Sequence, residues 1–382
     1  MGSESAGTAW GDSALAPFAL ERYFARYEFS TKYILGASDC ETLSVAELLA
    51  LEPGADAGLA NLRLGYTESK GGPSLRREIS RIYSTVSAEE ILVHSGAEEG
   101  VYLFMRACLK KGDHIIVHTP CYQSLSEIAL SAGCTVSAWR ADESRGWAPA
   151  MGDLRRLISR ATRAIVVNTP HNPTGFQMEK DELTELVRIA ADRGIILFSD
   201  EVYRESEYAP EARLPAACDL SPNAVSLGVM SKAYGLPGLR IGWVATHEPE
   251  ILARMEALKD YTTICAGAPG EYLAEVALRH REAVVRRNVG IIRSNLALAG
   301  ELFARHGERF SWVPPRAGPV AFPRLNRGEV GSFCSDLVTH AGVLLLPGTL
   351  FGDSGNHFRI GLGRRNAPEA LARFDEYLTS HQ

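Results

Sequence analysis

The sequence predicts an α/β protein with a large domain built on a mostly parallel sheet and a smaller α+β domain. From about residue 87 to 260, short apolar runs alternate with amphipathic stretches of helical length. The apolar runs are continuous, as expected for strands that helices cover on both faces. The length of 382 residues suits one large domain and one smaller domain.

Seven strands are expected in the large domain, each a short run rich in apolar and β-branched residues. They are Ile91–His94, His114–His118, Thr135–Trp139, Ala164–Val167, Ile195–Phe198, Ala224–Leu227 and Ile241–Ala245. The helices expected between them are Ala97–Lys111, Ser124–Ala132, Met151–Ser159 and Lys180–Asp192. Ligands of open α/β sheets bind at the carboxyl ends of strands, so residues that directly follow a strand are the first functional candidates.

The C-terminal part of the chain has a different pattern, in which two helical stretches flank short strand candidates. These are the helices near Ala283–Phe303 and Ala367–Leu378, and the strands Val343–Leu346 and His357–Leu362. We therefore expect a small domain formed by residues 1–45 and 286–382, and a large domain formed by residues 46–285.

Composition and charge exclude several classes of protein. The net charge of -6 offers no basic surface for nucleic acid, and no apolar run reaches membrane-spanning length. The N-terminus lacks the basic segment of a signal peptide. The seven cysteines are scattered without a C-x-x-C pair, which argues against a disulfide framework and against a zinc site. No metal is expected, and a reducing cytoplasm is the expected location.

The loop Ser231–Trp243 contains the most informative residues. Lys232 is followed eight residues later by Arg240, across a stretch rich in glycine and proline. A lysine amine can form a Schiff base with a carbonyl, and a guanidinium can bind a phosphate through two hydrogen bonds. Pyridoxal phosphate carries both an aldehyde and a phosphate. Taken alone, however, such a lysine is more often a surface residue in a turn.

Polar residues also follow the other expected strands. Asp200 and Tyr203 come after Ile195–Phe198, where an acid is costly to bury without a partner. Asn172 lies in an Asn-Pro-x-Gly motif and Tyr122 follows another strand. Each has a structural alternative: a strand-end cap for the aspartate, a turn for the asparagine and a core position for Tyr122.

In order and spacing, these motifs resemble those of the fold-type I pyridoxal-phosphate enzymes, in the aminotransferase class I/II family, from about Tyr66 to the C-terminus. The resemblance implies that Lys232 binds the cofactor and acts as general base. It implies that Asp200 faces the pyridine nitrogen, which keeps the ring an electron sink. It also implies that Tyr122 stacks on the ring, and that Asn172 and Tyr203 reach the phenolic oxygen.

The same resemblance assigns the phosphate site. Arg240 binds the phosphate, together with the N-terminus of the helix that follows Gly96, where Ala97 and Glu98 stand. Relatives often have serine or threonine in place of Glu98, so only its backbone N–H is expected to bind. The family's usual serine three residues before the lysine is Val229 here, and Ser231 is the expected substitute.

Two further matches concern the substrate and the partner subunit. Arg359, in a late strand, matches the arginine that binds the substrate α-carboxylate, and Asn172 and Gly36 are further expected substrate contacts. Tyr66 matches the tyrosine that reaches the phosphate of the neighbouring subunit, which implies a homodimer with shared active sites.

The resemblance implies that an α-amino acid reacts through an external aldimine, and the motifs leave the outcome of the reaction open. The Ser-Asp-Cys-Glu segment that holds Asp39 and Glu41, with the variant Val229, resembles the branch of capreomycidine synthase and the streptolidine-forming cyclases. That branch implies loss of water from a 3-hydroxylated arginine and ring closure through the guanidine, in antibiotic biosynthesis. Asp39 and Glu41 can bind a guanidinium, although helix-capping acids in a loop fit equally well.

Two other functions stay open at this point. A plain aminotransferase acting on an amino acid and a 2-oxo acid is the main alternative. A cofactor-sensing regulator is disfavoured, because such proteins carry an N-terminal DNA-binding domain and only about 50 residues precede the motifs here.

Overall fold

The computed structural model describes residues 15–381. The strands in chain order are β1 (Ile91–His94), β2 (His114–Thr119), β3 (Thr135–Arg140), β4 (Thr162–Asn168), β5 (Ile196–Asp200), β6 (Ala224–Val229), β7 (Gly242–Ala245), β8 (Phe310–Ser311), β9 (Val320–Ala321), β10 (Arg324–Leu325), β11 (Leu346–Pro347) and β12 (Phe358–Gly361). The first seven form one sheet in the order β1-β7-β6-β5-β4-β2-β3. Only β7 runs antiparallel to its neighbours, which confirms the mostly parallel sheet.

Helices cover both faces of this sheet, as the continuous apolar strands predict. They are α1 (Ala19–Tyr27), α2 (Val45–Leu49), α3 (Ala55–Ala60), α4 (Pro73–Ser80), α5 (Gly96–Cys108), α6 (Ser124–Ser131), α7 (Met151–Leu157), α8 (Lys180–Asp192), α9 (Ala217–Leu220), α10 (Pro249–Lys259), α11 (Ala268–Arg279), α12 (Arg281–Arg305), α13 (Val330–Ala341) and α14 (Ala367–Ser380). The fold class is therefore α/β, as expected.

Two predicted elements are shorter than expected. Helix α5 stops at Cys108, because Leu109 is extended and the Asp113 carboxylate accepts a hydrogen bond from the Lys110 N–H at 2.9 Å. The strand expected at Val343–Leu346 is reduced to β11, which pairs with β12. Val343 makes only an isolated bridge to Tyr33.

The hydrophobic core is divided between the two parts of the chain. Three clusters lie around the seven-stranded sheet, and a fourth joins the segment from Tyr33 to Cys40 with residues of α12, α13 and α14. Helix α1 differs from the rest of the N-terminal segment, since its Leu20 is buried in a cluster of the large sheet. This packing places α1 beside the carboxyl ends of the strands.

The predicted domain limits stay a prediction. Helix α12 runs without interruption from Arg281 to Arg305, across the expected limit at residue 285. Residues 1–14 of the expected small domain lie outside the described part of the chain.

Between residues 15 and 381, no helix is both long and apolar enough to cross a membrane. The same residues contain no group of three or more histidine, cysteine or acidic side chains arranged to hold a metal ion. All seven cysteines are free thiols, and six of them are buried.

Candidate active site

A cavity of about 530 Å³ opens at the carboxyl ends of the central parallel strands. The last residues of three neighbouring strands line it: Asn168 of β4, Asp200 of β5 and Val229 of β6. Ala97 and Glu98, at the start of α5, complete this side of the cavity. The strand-end rule thus brings together the residues that the sequence analysis selected from separate segments.

Lys232 lies on the loop that follows β6, and its side chain is half-buried against the cavity. Its Nζ donates a hydrogen bond to the Ser38 hydroxyl at 2.9 Å. Removal from water lowers the pKa of the Lys232 amine, although Asp39 opposes the effect. A larger fraction of the amine is therefore neutral and nucleophilic than for a lysine in water.

Asp200 is buried, with 8% of its surface exposed. Burial raises the pKa of this carboxyl to about 7, and the hydrogen bond that one oxygen accepts from the Val202 N–H at 3.2 Å does not offset the effect. Among residues 15–381 it has no basic side chain within ion-pair distance. A carboxylate in this position is stabilised only when a cation is brought to it.

The part of the cavity at the start of α5 is shaped to receive an anion. Gly96 has a φ of +72°, and a Cβ at this position would collide with the Arg240 guanidinium. The glycine therefore lets Arg240 approach the first turn of α5, whose backbone N–H groups point towards an incoming anion. Ser231 lines the same cavity, as does Val229.

Glu98 does not direct its carboxylate freely into this anion site. Its Oε2 accepts a hydrogen bond from the Ser124 hydroxyl at 3.0 Å. Burial raises the pKa of Glu98 to about 7, so much of the carboxyl is protonated at neutral pH. Both effects reduce the repulsion that a glutamate would otherwise exert on an anion here.

Two tyrosines and an asparagine line the middle of the cavity. Tyr203 is 1% exposed, and its hydroxyl has no hydrogen-bond partner within the described chain. Burial raises its pKa to about 12. Tyr122 donates to Oε1 of Glu21 at 2.7 Å, and Asn172 accepts from Arg359. The Tyr203 hydroxyl lies beside Ser38 without a hydrogen bond of ordinary geometry, so it is available to a ligand in the cavity.

Arg359 is buried on β12, directly behind Asn172, and does not itself line the cavity. Its Nη1 donates to Asn172 Oδ1 at 2.9 Å. Its Nε and Nη2 donate to the carbonyl of Gly36 at 3.1 and 2.8 Å. Gly36, selected from the sequence as a substrate contact, therefore lies behind the site and orients the arginine.

The structure separates the two acids that were selected from the Ser-Asp-Cys-Glu segment. Asp39 lines the cavity and binds Arg364 through both oxygens, at 3.0 and 2.7 Å. Glu41 does not line it, because its carboxylate accepts the backbone N–H of Arg365 at 2.8 Å. The expectation that both acids meet at one site is wrong for Glu41.

Helix α1 supplies a wall of the cavity that the sequence analysis missed. Phe18, Glu21, Phe24 and Glu28 all line it. These positions are three or four residues apart and fall on one face of the helix and its ends. Their spacing therefore indicates a helix face that packs against another surface. The alternation of aromatic and acidic residues on that face did not identify its partner surface. Ser38 and Arg364 also line the cavity without having been selected.

Tyr66 is not part of the cavity within this chain. It is 93% exposed, and Tyr261 is also exposed. Lys259 connects the loops that carry these two tyrosines, because its Nζ donates to the carbonyls of Ser69 and Ile264. An aromatic side chain this exposed is available to a second molecule.

Comparison with known proteins gives a consistent result. The sequence pattern of the aminotransferase class I and II family matches residues 31–374. A capreomycidine synthase from Streptomyces vinaceus is 32% identical over 97% of this chain and 96% of that protein. The glutamate-pyruvate aminotransferase AlaA of Escherichia coli K12 is 30% identical over 83% of each chain.

Two solved structures share the fold over almost the whole chain. A PLP-dependent aminotransferase from Streptococcus suis superimposes with a TM-score of 0.90, at 31% identity, and covers 96% of this chain and 99% of its own. The PLP-dependent cyclase OrfR gives a TM-score of 0.88 at 29% identity and covers 98% and 100%.

Proposed function

The chain belongs to the aminotransferase class I and II family, and from this premise we propose that it is a cyclase of a 3-hydroxyarginine-type amino acid. The proposed reaction removes water across Cα and Cβ and then joins a guanidine nitrogen to Cβ. The similarity to a capreomycidine synthase and to the cyclase OrfR, each over nearly the whole chain, supports this choice.

The protein is a PLP-dependent enzyme of the aminotransferase fold. The residues around the cavity fit this cofactor. The buried Asp200 lacks a basic partner, as expected of a group that faces a protonated pyridine nitrogen. The N-terminus of α5, Ser231 and Arg240 form a cradle for the phosphate, and Gly96 is the residue that makes room for it.

Between these two ends, we propose that Lys232, Tyr122, Asn172 and Tyr203 hold the remainder of the cofactor. The Tyr203 hydroxyl, which lacks a partner in the described chain, supports its assignment to the phenolic oxygen. When bound, pyridoxal phosphate draws the electron pair of a broken Cα bond into its ring. The lowered pKa of Lys232 suits an amine that accepts and returns the proton at Cα.

Arg359 does not line the cavity, but it lies close enough to affect the pKa values of Lys232, Tyr122 and Tyr203, and it is proposed to bind the substrate α-carboxylate. Its hydrogen bonds to Asn172 and Gly36 fix the plane of the guanidinium before a substrate arrives. A planar, preoriented guanidinium binds a carboxylate in one defined direction. The substrate Cα is thereby directed towards Lys232.

A single observation carries the choice of substrate: the negative charge of one part of the cavity lining. Glu21, Glu28 and Asp39 line the cavity, and we call these three carboxylates the acidic wall. Arg364 pairs with only one of them, Asp39, so the wall has a net negative charge in the described chain. A guanidinium satisfies carboxylates of this kind through several charge-assisted hydrogen bonds.

The acidic wall disfavours the main alternative in its commonest form. The glutamate-pyruvate aminotransferase relative keeps transamination open. A glutamate or aspartate side chain would, however, place a second carboxylate against Glu21 and Glu28, at a cost in like-charge repulsion. Transamination of a cationic amino acid is the version of this alternative that the wall permits.

We also propose that the enzyme is a homodimer in which Tyr66 completes the active site of the partner subunit. The 93% exposure of Tyr66, together with that of Tyr261, supports this assignment. A cytoplasmic location is supported by the seven free cysteines, which a reducing compartment preserves.

The test is mass spectrometry of the products formed from 3-hydroxyarginine with no 2-oxo acid present. The cyclase should yield a product that has lost one water, retains every nitrogen and does not react with carbonyl reagents. Conversion of the bound cofactor to its pyridoxamine form, with release of a 2-oxo acid, would instead establish the aminotransferase.

A further inference from the structure

Ring closure requires a group that the cofactor-binding residues do not supply. A guanidinium carries no free lone pair, so one N–H must be lost before or while a nitrogen bonds to Cβ. The guanidine end of the substrate lies on the far side of Cα from its carboxylate. The base that removes this proton is therefore expected among the carboxylates of the acidic wall, which lie close to Lys232 but are separate from it.

Two of the three acids of the wall are already engaged. Asp39 uses both oxygens to bind Arg364, at 3.0 and 2.7 Å. Glu21 accepts the hydroxyl of Tyr122 at 2.7 Å. Each is suited to holding a cation in place, but an oxygen committed to another donor is a poorer proton acceptor.

Glu28 is different, because neither of its carboxylate oxygens has a hydrogen-bond or ion-pair partner in the described part of the chain. It follows the last residue of α1, where its backbone N–H still donates to the Phe24 carbonyl at 2.7 Å. Its side chain is half-buried and lines the cavity. The backbone is thus fixed while the carboxylate stays available.

We propose that Glu28 is the base that removes the guanidinium proton during ring closure. The inference rests on the proposed cyclase function. As the N–H bond breaks, its proton passes to a Glu28 oxygen and the nitrogen lone pair forms the bond to Cβ. The electron pair of the Cα–Cβ double bond left by water loss moves to Cα, which takes back the proton that Lys232 removed. The hydroxyl that left Cβ takes its proton from solvent, and Glu28 later releases to solvent the proton that it accepted, so both residues return to their starting states.

The surroundings of Glu28 favour this role. The charged groups that face it are Asp39, Glu21, Arg364 and Lys232. Burial raises the pKa of Glu28 first, and the two neighbouring carboxylates raise it further, whereas the two cations oppose them. A carboxylate with a raised pKa is the stronger base, and it stays ionised above that pKa.

A second observation concerns the cavity that the acidic wall borders. The Tyr203 hydroxyl lines the same cavity, is 1% exposed and has no partner among the described residues. A buried hydroxyl in this state is available to a polar group of a bound molecule. The acidic wall therefore faces a space that is built to be filled.

The test uses the cofactor-loaded wild type, Glu28→Gln and the control Glu41→Gln, whose carboxylate lies outside the cavity. Exchange of the Cα proton with deuterated water measures substrate binding and proton removal by Lys232. Mass spectrometry measures ring formation. We expect Glu28→Gln to keep its exchange rate within roughly threefold and to lose ring formation by roughly 100-fold or more. Glu41→Gln should match the wild type in both.

The fate of the substrate gives an independent readout. In Glu28→Gln, the dehydrated but unclosed product should leave the enzyme. In water it should then hydrolyse to a 2-oxo acid and ammonia. In the wild type, the rate of ring formation should rise as the pH increases through the raised pKa of Glu28. The rate of Glu28→Gln should not show this rise.

The outcomes separate the two proposals. Ring formation at the wild-type rate by Glu28→Gln overturns the role of Glu28 and leaves the cyclase standing. Equal loss of exchange and of ring formation also overturns it, because Glu28 would then serve substrate binding. A wild type that exchanges the Cα proton but forms no ring overturns both proposals.

Discussion

The Nη1 of Arg359 donates to Oδ1 of Asn172 at 2.9 Å, and this hydrogen bond joins β12 to the loop after β4. It links a strand of the C-terminal part to the carboxyl edge of the large sheet. Arg359, the proposed substrate-binding residue, and Asn172, a proposed cofactor ligand, therefore orient each other.

Arg359→Lys should weaken substrate binding more than it slows the chemical step. An ammonium cannot donate to Asn172 and Gly36 and also present two parallel N–H groups to a carboxylate. We expect KM to rise by roughly 10- to 100-fold, measured by steady-state kinetics. Arg365→Lys is the control, because Arg365 is exposed and lies shortly after β12, the strand that carries Arg359. Equal changes in both variants would contradict the role of Arg359.

Lys232→Ala should abolish both turnover and the visible absorbance of the lysine-bound cofactor. No other lysine lines the cavity of the described chain. Absorption spectroscopy and product formation measure the two effects, with the exposed Lys180→Ala as control. Turnover retained by Lys232→Ala would refute the assignment.

Asp200 should make the cofactor-free protein less stable as the pH rises. Its pKa is raised from 3.8 to about 7 in the folded chain, so the folded state binds more protons than the unfolded state between these values. Its contribution is present below pH about 4 and is lost as the pH rises through about 7, by up to roughly 4 kcal/mol.

Urea unfolding between pH about 4 and 8 tests this prediction. Asp200→Asn should lose less free energy of unfolding than the wild type as the pH rises. Asp192→Asn, an exposed position at the end of α8, should follow the wild type. Parallel curves for the wild type and Asp200→Asn would show that burial of this carboxylate carries no cost.

Glu21→Gln should raise KM for 3-hydroxyarginine by roughly tenfold, because an amide replaces one charge of the acidic wall. The Tyr122 hydroxyl can still donate to the amide oxygen, so the position of α1 should be retained. Steady-state kinetics with Glu308→Gln, an exposed glutamate, as control measures the change. An unchanged KM would remove Glu21 from substrate recognition.

The sequence located the residues at strand ends well, because that rule depends only on local pattern. Asp200 and Val229 are terminal residues of their strands, and Asn172 and Lys232 follow strand ends by a few positions. Their convergence follows from the parallel arrangement of β4, β5 and β6.

The acidic wall was located less well, because it depends on packing between distant segments. Glu21 reaches the cavity only because α1 packs on the large sheet and meets Tyr122, 101 residues away. Asp39 and Glu41 are two positions apart, and Arg364 and the neighbouring Arg365 direct one to the cavity and the other away from it. No periodicity within the segment distinguishes these two acids.

Helix α12 also has a mechanical consequence. Its 25 residues form a rod of about 38 Å that belongs to both parts of the chain. A continuous ladder of backbone hydrogen bonds resists bending, so the C-terminal part cannot pivot about residue 285. Any rotation that opens or closes the cavity must therefore bend the other segments that join the two parts of the chain. Helix α12 would move as one rigid element in such a rotation.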